Sequence, residues 1–239
     1  QAHEGDAKAT LQAFGGDQQV YDSFCGSIIR TDNGNIETTP AEALRYSETD
    51  ESLNAIHETP GRYSFQREYS RGGMAQILLV HDAFMGRDVA LKELLPSLTG
   101  RDDPETPVHR AMPIMSRFLQ EARITGQLEH PAIVPVYELG RRKDNTLYYT
   151  MKLVRGRTLA QALKEAKTLK ERLELLPHFV DLCQAVAYAH SRGVIHRDLK
   201  PLNIMVGEFG ETVVIDWGLA KVLGRPDVHE EELKKTFQM

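Results

Sequence analysis

Residues 195–203 read Ile-His-Arg-Asp-Leu-Lys-Pro-Leu-Asn, and residues 216–218 read Asp-Trp-Gly. Asp198 and Asn203 are five residues apart, and Asp216 follows thirteen residues later, between an apolar run and a glycine. Transfer of a phosphoryl group from ATP requires a carboxylate that orients the attacking hydroxyl and oxygen ligands that hold magnesium. The two stretches therefore supply the residue types that this chemistry needs.

Both stretches resemble the catalytic loop and the metal-binding turn of the eukaryotic-like (Hanks-type) protein kinases. The resemblance implies an α+β, two-lobed protein-kinase-like fold, with a complete five-stranded small lobe and a mainly helical large lobe. It also implies a bacterial-style protein kinase that uses ATP and Mg²⁺. Lys200, two residues after Asp198, is similar to the lysine of the serine/threonine branch rather than the tyrosine branch.

The resemblance assigns a role to each polar residue of these stretches. Asp198 would orient the substrate hydroxyl, and Lys200 would contact the γ-phosphate during its transfer. Asn203 and Asp216 would hold the magnesium ions. Trp217 stands where the family usually has phenylalanine, so we expect it to fill the same apolar site, with an indole N–H that needs a partner.

A third motif, Val-Ala-Leu-Lys at residues 89–92, is similar to the third strand of the kinase small lobe. By that resemblance, Lys92 would hold the α- and β-phosphates of ATP. Glu121, on a predicted helix, would pair with Lys92 and keep it extended and charged. An ordinary surface glutamate is the alternative for Glu121.

The turn at residues 70–75, Ser-Arg-Gly-Gly-Met-Ala, takes the place of the family's glycine-rich phosphate loop. Gly72 and Gly73 would let the backbone approach the phosphates and offer its N–H groups. Only the middle one of the family's three glycines is kept. A plain hairpin turn explains the same residues equally well.

The adenine site is assigned by resemblance, because apolar residues on strands are otherwise core residues. Met151 would lie at the back of the pocket. The backbone of Lys152 and Val154 would hydrogen-bond the adenine edge. The ring itself would lie between three apolar side chains: Ile77, Ala90 and Met205.

Hydrophobic periodicity and turn residues predict the order of strands and helices that such a fold requires. Helices are predicted at about 113–128, 159–166 and 173–190. Pro177 is expected either in the first turn of the last helix or at a kink within it. The predicted strands are 63–68, 76–82, 88–94, 131–139, 146–154, 204–206 and 213–215.

The motifs divide the chain into three parts. Residues 1–60 are polar and acidic, and we expect a partly ordered extension with a short helix that begins at a capping box over residues 39–42. Residues 61–154 would form the small lobe, and residues 155–239 a truncated large lobe with a mobile tail. No Ala-Pro-Glu motif follows Asp216, so we expect the usual protein-substrate platform to be missing.

The composition of the chain limits which partners and which cellular compartment are expected. The formal charge of -5 provides no overall basic surface, which makes nucleic acid a poor candidate partner. We find no apolar run long enough to span a bilayer and no signal peptide. Cys25 and Cys183 lie far apart and form neither a disulfide framework nor a zinc motif, which fits a reducing cytoplasm.

The predicted helix at residues 173–190 is apolar on more than one face. A contiguous exposed apolar patch usually marks an interface, and a second copy of the chain is the simplest cover. The sequence therefore favours a homodimer through the large-lobe remnant. The alternative is that the N-terminal extension covers this apolar patch, through Phe24, Ile28 and Ile29.

Two other functions compete with a protein kinase that phosphorylates mainly itself. Small-molecule kinases of the aminoglycoside and choline type share the aspartate-to-asparagine spacing, but Arg197, Lys200 and the motif at residues 89–92 favour protein kinases. A nucleotide-binding or scaffold module that acts through partners is the alternative from a different class. No sequence feature names a protein substrate.

Overall fold

An antiparallel five-stranded sheet forms the first half of the described chain, which in this computed structural model comprises residues 56–95, 98, 108–225 and 227. The strand order is β1-β2-β3-β5-β4. Short turns at Gly72-Gly73 and at Met85-Gly86 connect β1 to β2 and β2 to β3. The strands are β1 (Tyr63–Arg71), β2 (Ala75–Asp82), β3 (Arg87–Leu94), β4 (Val136–Arg141) and β5 (Leu147–Met151).

The register of the central strands places the candidate lysine in the middle of the sheet. Lys92 on β3 lies opposite Ile77 on β2 and opposite Tyr149 on β5. Directly opposite residues share one face of an antiparallel sheet. The Lys92 side chain therefore emerges on the same face as Tyr149.

A 20-residue helix, α1 (Val108–Gln127), covers that face of the sheet. Its buried residues Phe118, Leu119 and Ala122 pack with Leu94 and Leu147. The helix begins five residues before the predicted start, and Pro113 lies inside it. A proline removes one backbone donor, and burial of the apolar face of the helix offsets that loss.

Strands β4 and β5 are shorter than predicted. Residues 131–135 stay outside the sheet, where Ile133 instead forms an isolated parallel bridge with Val214. Pro131 and Pro135 explain the late start of β4, because proline cannot donate to a strand ladder. After Met151 the chain leaves β5, and the Lys152 N–H donates to the Pro135 carbonyl at 3.0 Å.

The second half of the described chain is built from short strands and helices. The strands are β6 (Gly156–Thr158), β7 (Val194–Ile195), β8 (Ile204–Gly207), β9 (Thr212–Val214) and β10 (Lys221–Val222). They form a β6-β8-β9 sheet and a β10-β7 pair. The helices are α2 (Leu159–Glu165), α3 (Leu169–Leu173) and α4 (Leu176–Ser191).

The helix predicted at residues 173–190 corresponds to α4, which begins three residues later than predicted and follows a separate short helix, α3. Pro177 lies in the first turn of α4, where its missing N–H removes no helix bond. Helix α3 begins at a capping box that the prediction did not use. Thr168 accepts from the Glu171 N–H, and the Glu171 side chain accepts from the Thr168 N–H.

Trp217 fills the centre of the main core of this half, together with Ile124, Ala185 and Val214. Its indole is 1% exposed, as an apolar site requires. Within the described part of the chain, the indole N–H finds no hydrogen-bond partner. That outcome differs from the prediction, because the apolar side chains of the core and the His196 ring, at 4.5 Å between centroids, surround the indole.

Some predictions fall on residues that the structure does not describe. These are the short helix at the capping box over residues 39–42, the extension up to residue 55 and most of the tail after residue 225. Among the described residues, none of the helices combines the length and the apolar character needed to cross a lipid bilayer.

Candidate active site

A cavity of about 530 Å³ lies between the five-stranded sheet and the second half of the chain. Every residue that the sequence predicts for the nucleotide and the metal lines it. Lys200 is not among the lining residues, but it contacts one of them, Asp198. The structure therefore brings together residues that lie up to 144 positions apart, between Gly72 and Asp216.

Lys92 is held between two carboxylates inside the cavity. Its Nζ donates to Glu121 Oε1 at 2.5 Å and lies 3.8 Å from Asp216 Oδ1. Burial alone would lower the pKa of the Lys92 ammonium, but the carboxylates of Glu121 and Asp216 outweigh burial and raise that pKa. Lys92 therefore stays charged at neutral pH, and Glu121 is not an ordinary surface residue.

The catalytic-loop residues form a hydrogen-bonded group around Asp198. Lys200 Nζ donates to Asp198 Oδ2 at 2.7 Å, and Asn203 Nδ2 donates to the same oxygen at 3.0 Å. The ion pair with Asp198 raises the pKa of Lys200. Because its amide nitrogen is used in this way, Asn203 offers its amide oxygen to a cation.

Backbone strain occurs at both ends of the site. Arg197 and Asp216 have positive φ angles of 67° and 61°, a region that residues other than glycine rarely adopt. The Ile215 N–H donates to the Asn203 carbonyl at 2.9 Å, which joins the two loops directly. Strained residues of this kind concentrate where geometry is functional.

Arg197 connects the catalytic loop to the segment after the Asp216 turn. Its Nε donates to the Leu219 carbonyl at 2.7 Å. Its guanidinium also forms a two-pronged ion pair with Asp227, with one hydrogen bond of 3.0 Å from Nη2. The sequence predicts a mobile tail at the end of the large lobe, and Asp227, a described residue of that tail, is paired with Arg197.

The turn between β1 and β2 leaves open space at its glycines. The Gly72 N–H donates to the Ala75 carbonyl at 2.9 Å, which closes the hairpin. A Cβ added at Gly73 would meet no atom of the chain within 4 Å, and neither glycine has a positive φ. The hairpin itself therefore does not require glycine at position 73, and the free space adjoins the cavity.

The predicted adenine residues form the apolar walls of the cavity. Met205, Val154 and Val134 belong to one buried cluster, against which Met151 packs. The Lys152 N–H already donates to Pro135, so that residue can offer a ligand only its carbonyl group. The backbone contact predicted for Lys152 at the adenine edge would therefore use its carbonyl group.

Sequence reasoning missed the residues at the back of the cavity. Tyr149 and Thr125 line it beside Phe118, and the Tyr149 hydroxyl donates to Glu121 Oε1 at 2.7 Å. In the sequence these residues fit an ordinary core pattern. The only usable signal was the register, since Tyr149 lies opposite Lys92.

A comparison with protein families matches residues 63–237 to the protein kinase domain. The chain belongs to the protein kinase family. This membership confirms the predicted resemblance and the two-lobed α+β fold, and it favours a protein kinase over the small-molecule kinases.

Bacterial relatives of this chain are named serine/threonine-protein kinase PknD. The chain is 40% identical over 186 residues to the protein of Protochlamydia amoebophila, covering 73% of this chain and 18% of the relative. It is 39% identical over 186 residues to that of Chlamydia muridarum, covering 74% and 19%. The chain thus spans less than a fifth of the length of the curated relatives it matches.

Proposed function

We propose that this chain transfers the γ-phosphoryl group of Mg-ATP to serine or threonine hydroxyls. One observation carries the proposal: Lys92, paired with Glu121, points into the same cavity as Asp198 and Asp216. Phosphoryl transfer depends on positioning and on charge neutralisation, and this group supplies both signs of charge in one enclosed space. The names of the relatives support serine or threonine as the acceptor.

In this proposal, each lobe contributes different residues to the reaction. Residues 61–154 would bind the nucleotide from one side, through the β1–β2 turn and Lys92. Residues 155–239 would supply Asp198 to orient the acceptor hydroxyl and Lys200 to meet the transferring phosphate. The buried ion pair between Lys92 and Glu121 supports this division, because its partners lie on β3 and α1 of the first part.

The residues present fit a magnesium ion. Asp216 offers a carboxylate that is 47% exposed, and Asn203 offers an amide oxygen on the facing loop. Hard oxygen ligands of this kind suit Mg²⁺, which would neutralise charge on the phosphates when bound. The open space at Gly73 fits a phosphate group close to the backbone.

Mg-ATP is expected to bind this chain, and Lys92→Ala or Asp216→Asn is expected to weaken binding by roughly ten- to a hundredfold. Hydrogen bonds to charged groups contribute about 1.5–3 kcal/mol each, and every 1.4 kcal/mol corresponds to about tenfold in affinity. Isothermal titration calorimetry with ATP, in the presence and absence of magnesium, measures both effects.

The matched control is Lys170→Ala, which removes an exposed lysine on α3, outside the cavity. Its ATP affinity should equal that of the unmutated chain. A chain without magnesium-dependent ATP binding, or an equal loss in the Lys170 variant, would contradict the proposed nucleotide site.

We further propose that the isolated chain acts mainly on its own serine and threonine residues, from a cytoplasmic location. An acceptor tethered to the catalytic site has a high effective concentration and needs no docking surface. The free thiol of Cys183 suits a reducing compartment. A scaffold module that binds nucleotide without transferring phosphate is the alternative, and the transfer assay on Asp198 discriminates between them.

We also propose a homodimer through an apolar face that spans α3 and α4. Leu169 is 74% exposed and Phe179 is 57% exposed, although both are large apolar side chains. Three further large apolar residues of these helices are also exposed: Leu173 on α3, and Leu176 and Val180 on α4. A standard interface buries about 800 Å² on each partner, and apolar faces of this kind favour such burial.

Light scattering is expected to give twice the monomer mass at micromolar concentration. Phe179→Ser should shift the chain to monomer, because it removes the most exposed large apolar side chain of α4. Phe209→Ser is the control, since Phe209 is 94% exposed on the β8–β9 turn. A strictly monomeric unmutated chain would contradict the dimer.

A further inference from the structure

We propose that the Tyr149 hydroxyl is a positioning group for this kinase: it fixes the Glu121 carboxylate and thereby holds Lys92 at the nucleotide phosphates. The inference rests on the proposed function, since it assigns Lys92 to the phosphates. Tyr149 would not touch the nucleotide phosphates itself. It would act through Glu121.

The geometry places three side chains from three elements at one point. Lys92 on β3 and Tyr149 on β5 are direct cross-strand neighbours, and Glu121 reaches them from α1. Glu121 Oε1 accepts from both, at 2.5 Å from Lys92 Nζ and 2.7 Å from the Tyr149 hydroxyl. The carboxylate is therefore held by two donors rather than by the ammonium alone.

The tyrosine ring is itself fixed, so its hydroxyl has a defined position. Tyr149 is 3% exposed, and its ring packs against Phe118 at 5.3 Å between centroids. Phe118 precedes Glu121 by one helical turn on α1. The contact between Phe118 and Tyr149, which packs α1 against the sheet, thus also orients the Tyr149 hydroxyl toward the Glu121 carboxylate.

In the hydrogen bond between Tyr149 and Glu121, the tyrosine hydroxyl is the donor. Burial, reinforced by the neighbouring Glu121 carboxylate, keeps the pKa of the Tyr149 phenol well above its usual range. The phenol therefore remains protonated, and a carboxylate can only accept from it. Lys92 also lies 3.8 Å from Asp216, so a loosely held Glu121 would allow the ammonium to move toward Asp216 instead.

The test is Tyr149→Phe, which removes the hydroxyl and keeps the ring. We expect ATP affinity and kcat/KM for ATP to fall about tenfold, the effect of one lost hydrogen bond to a charged group. Adenosine, which has no phosphates, should bind both proteins equally. A purely structural role in shaping the cavity would weaken adenosine as well, so equal losses for adenosine and ATP would overturn the proposal.

Tyr148→Phe is the matched control on the neighbouring residue. Tyr148 is fully buried on the opposite face of β5, and among the described residues its hydroxyl has no hydrogen-bond partner. This variant should bind ATP as the unmutated chain does. A loss equal to that of Tyr149→Phe would overturn the specific role of Tyr149.

A double-mutant cycle tests whether the hydroxyl acts through Glu121. In a Glu121→Ala background, Tyr149→Phe should change ATP affinity by less than about twofold, and a full tenfold loss there would contradict the proposed route.

This inference and the proposed function can fail separately. If Tyr149→Phe leaves ATP affinity unchanged while Lys92→Ala weakens it, this inference is overturned and the nucleotide site stays in place. An unmutated chain that does not bind ATP would overturn the proposed function, and this inference with it.

Discussion

Asp198→Asn is expected to reduce phosphoryl transfer by about 10²–10⁴-fold, the range for loss of a positioned acid or base, while Mg-ATP still binds. The Asp198 carboxylate accepts hydrogen bonds from Lys200 and Asn203 through one oxygen. An amide at this position cannot accept a proton from the substrate hydroxyl. Transfer of ³²P from labelled ATP to the chain, followed by phosphoamino-acid analysis, measures the rate and the acceptor type.

Asp88→Asn is the control for the same change of side chain outside the cavity. Asp88 lies at the start of β3 and pairs with His81 and Arg155, so its loss should leave transfer within about twofold, as for surface charge pairs. Phosphotyrosine alone would contradict serine/threonine specificity. An unmutated chain that binds Mg-ATP but incorporates no label would favour the scaffold alternative.

Gly156→Ala is expected to give the largest loss of stability, about 3 kcal/mol in the free energy of unfolding. Gly156 begins β6 with φ +136°, and an added Cβ would lie 2.2 Å from the Val206 carbonyl oxygen on β8. The clash is with backbone, which cannot rotate away. For a chain of this size the melting temperature should fall by about 10 °C, as measured by circular dichroism.

Gly210→Ala separates the strain of a positive φ from the clash. Gly210 has φ +84°, and an added Cβ would meet no atom within 4 Å. The free energy of unfolding of the Gly210→Ala variant should fall by about 1 kcal/mol, the lower end of the range for backbone strain. Equal losses at the two glycines would show that the contact with β8 does not matter.

The sequence was sufficient to predict the fold wherever a local pattern coincided with a tertiary requirement. Alternation and turn glycines place β1, β2 and β3 to within a few residues, because the hairpin turns and the buried face both require the same pattern. The start of α1 was wrong by five residues, since Pro113 is a local stop signal that packing overrides. Helix α3 was not predicted, because five residues are too few for a helical period to be recognised.

The candidate site shows the same limit. The meeting of Lys92, Asp198 and Asp216 in one cavity was predictable, because all three lie in motifs that resemble those of a known family. Tyr149 was not predictable, because a tyrosine in a buried strand satisfies the core pattern whether or not its hydroxyl finds a partner. Its role depends on a register between two strands that are more than 50 residues apart along the chain.

The ion pair between Arg197 and Asp227 constrains how this sequence can diverge. The two side chains are only 16% and 10% exposed, so replacing Asp227 alone would leave the Arg197 guanidinium largely buried without this carboxylate, while Asp227 itself also lies 3.9 Å from Lys221. Removing one member of a buried pair is strongly destabilising, whereas replacing both together is often tolerated. Among related kinases, substitutions at positions 197 and 227 should therefore occur together, although the two positions are 30 residues apart along the chain.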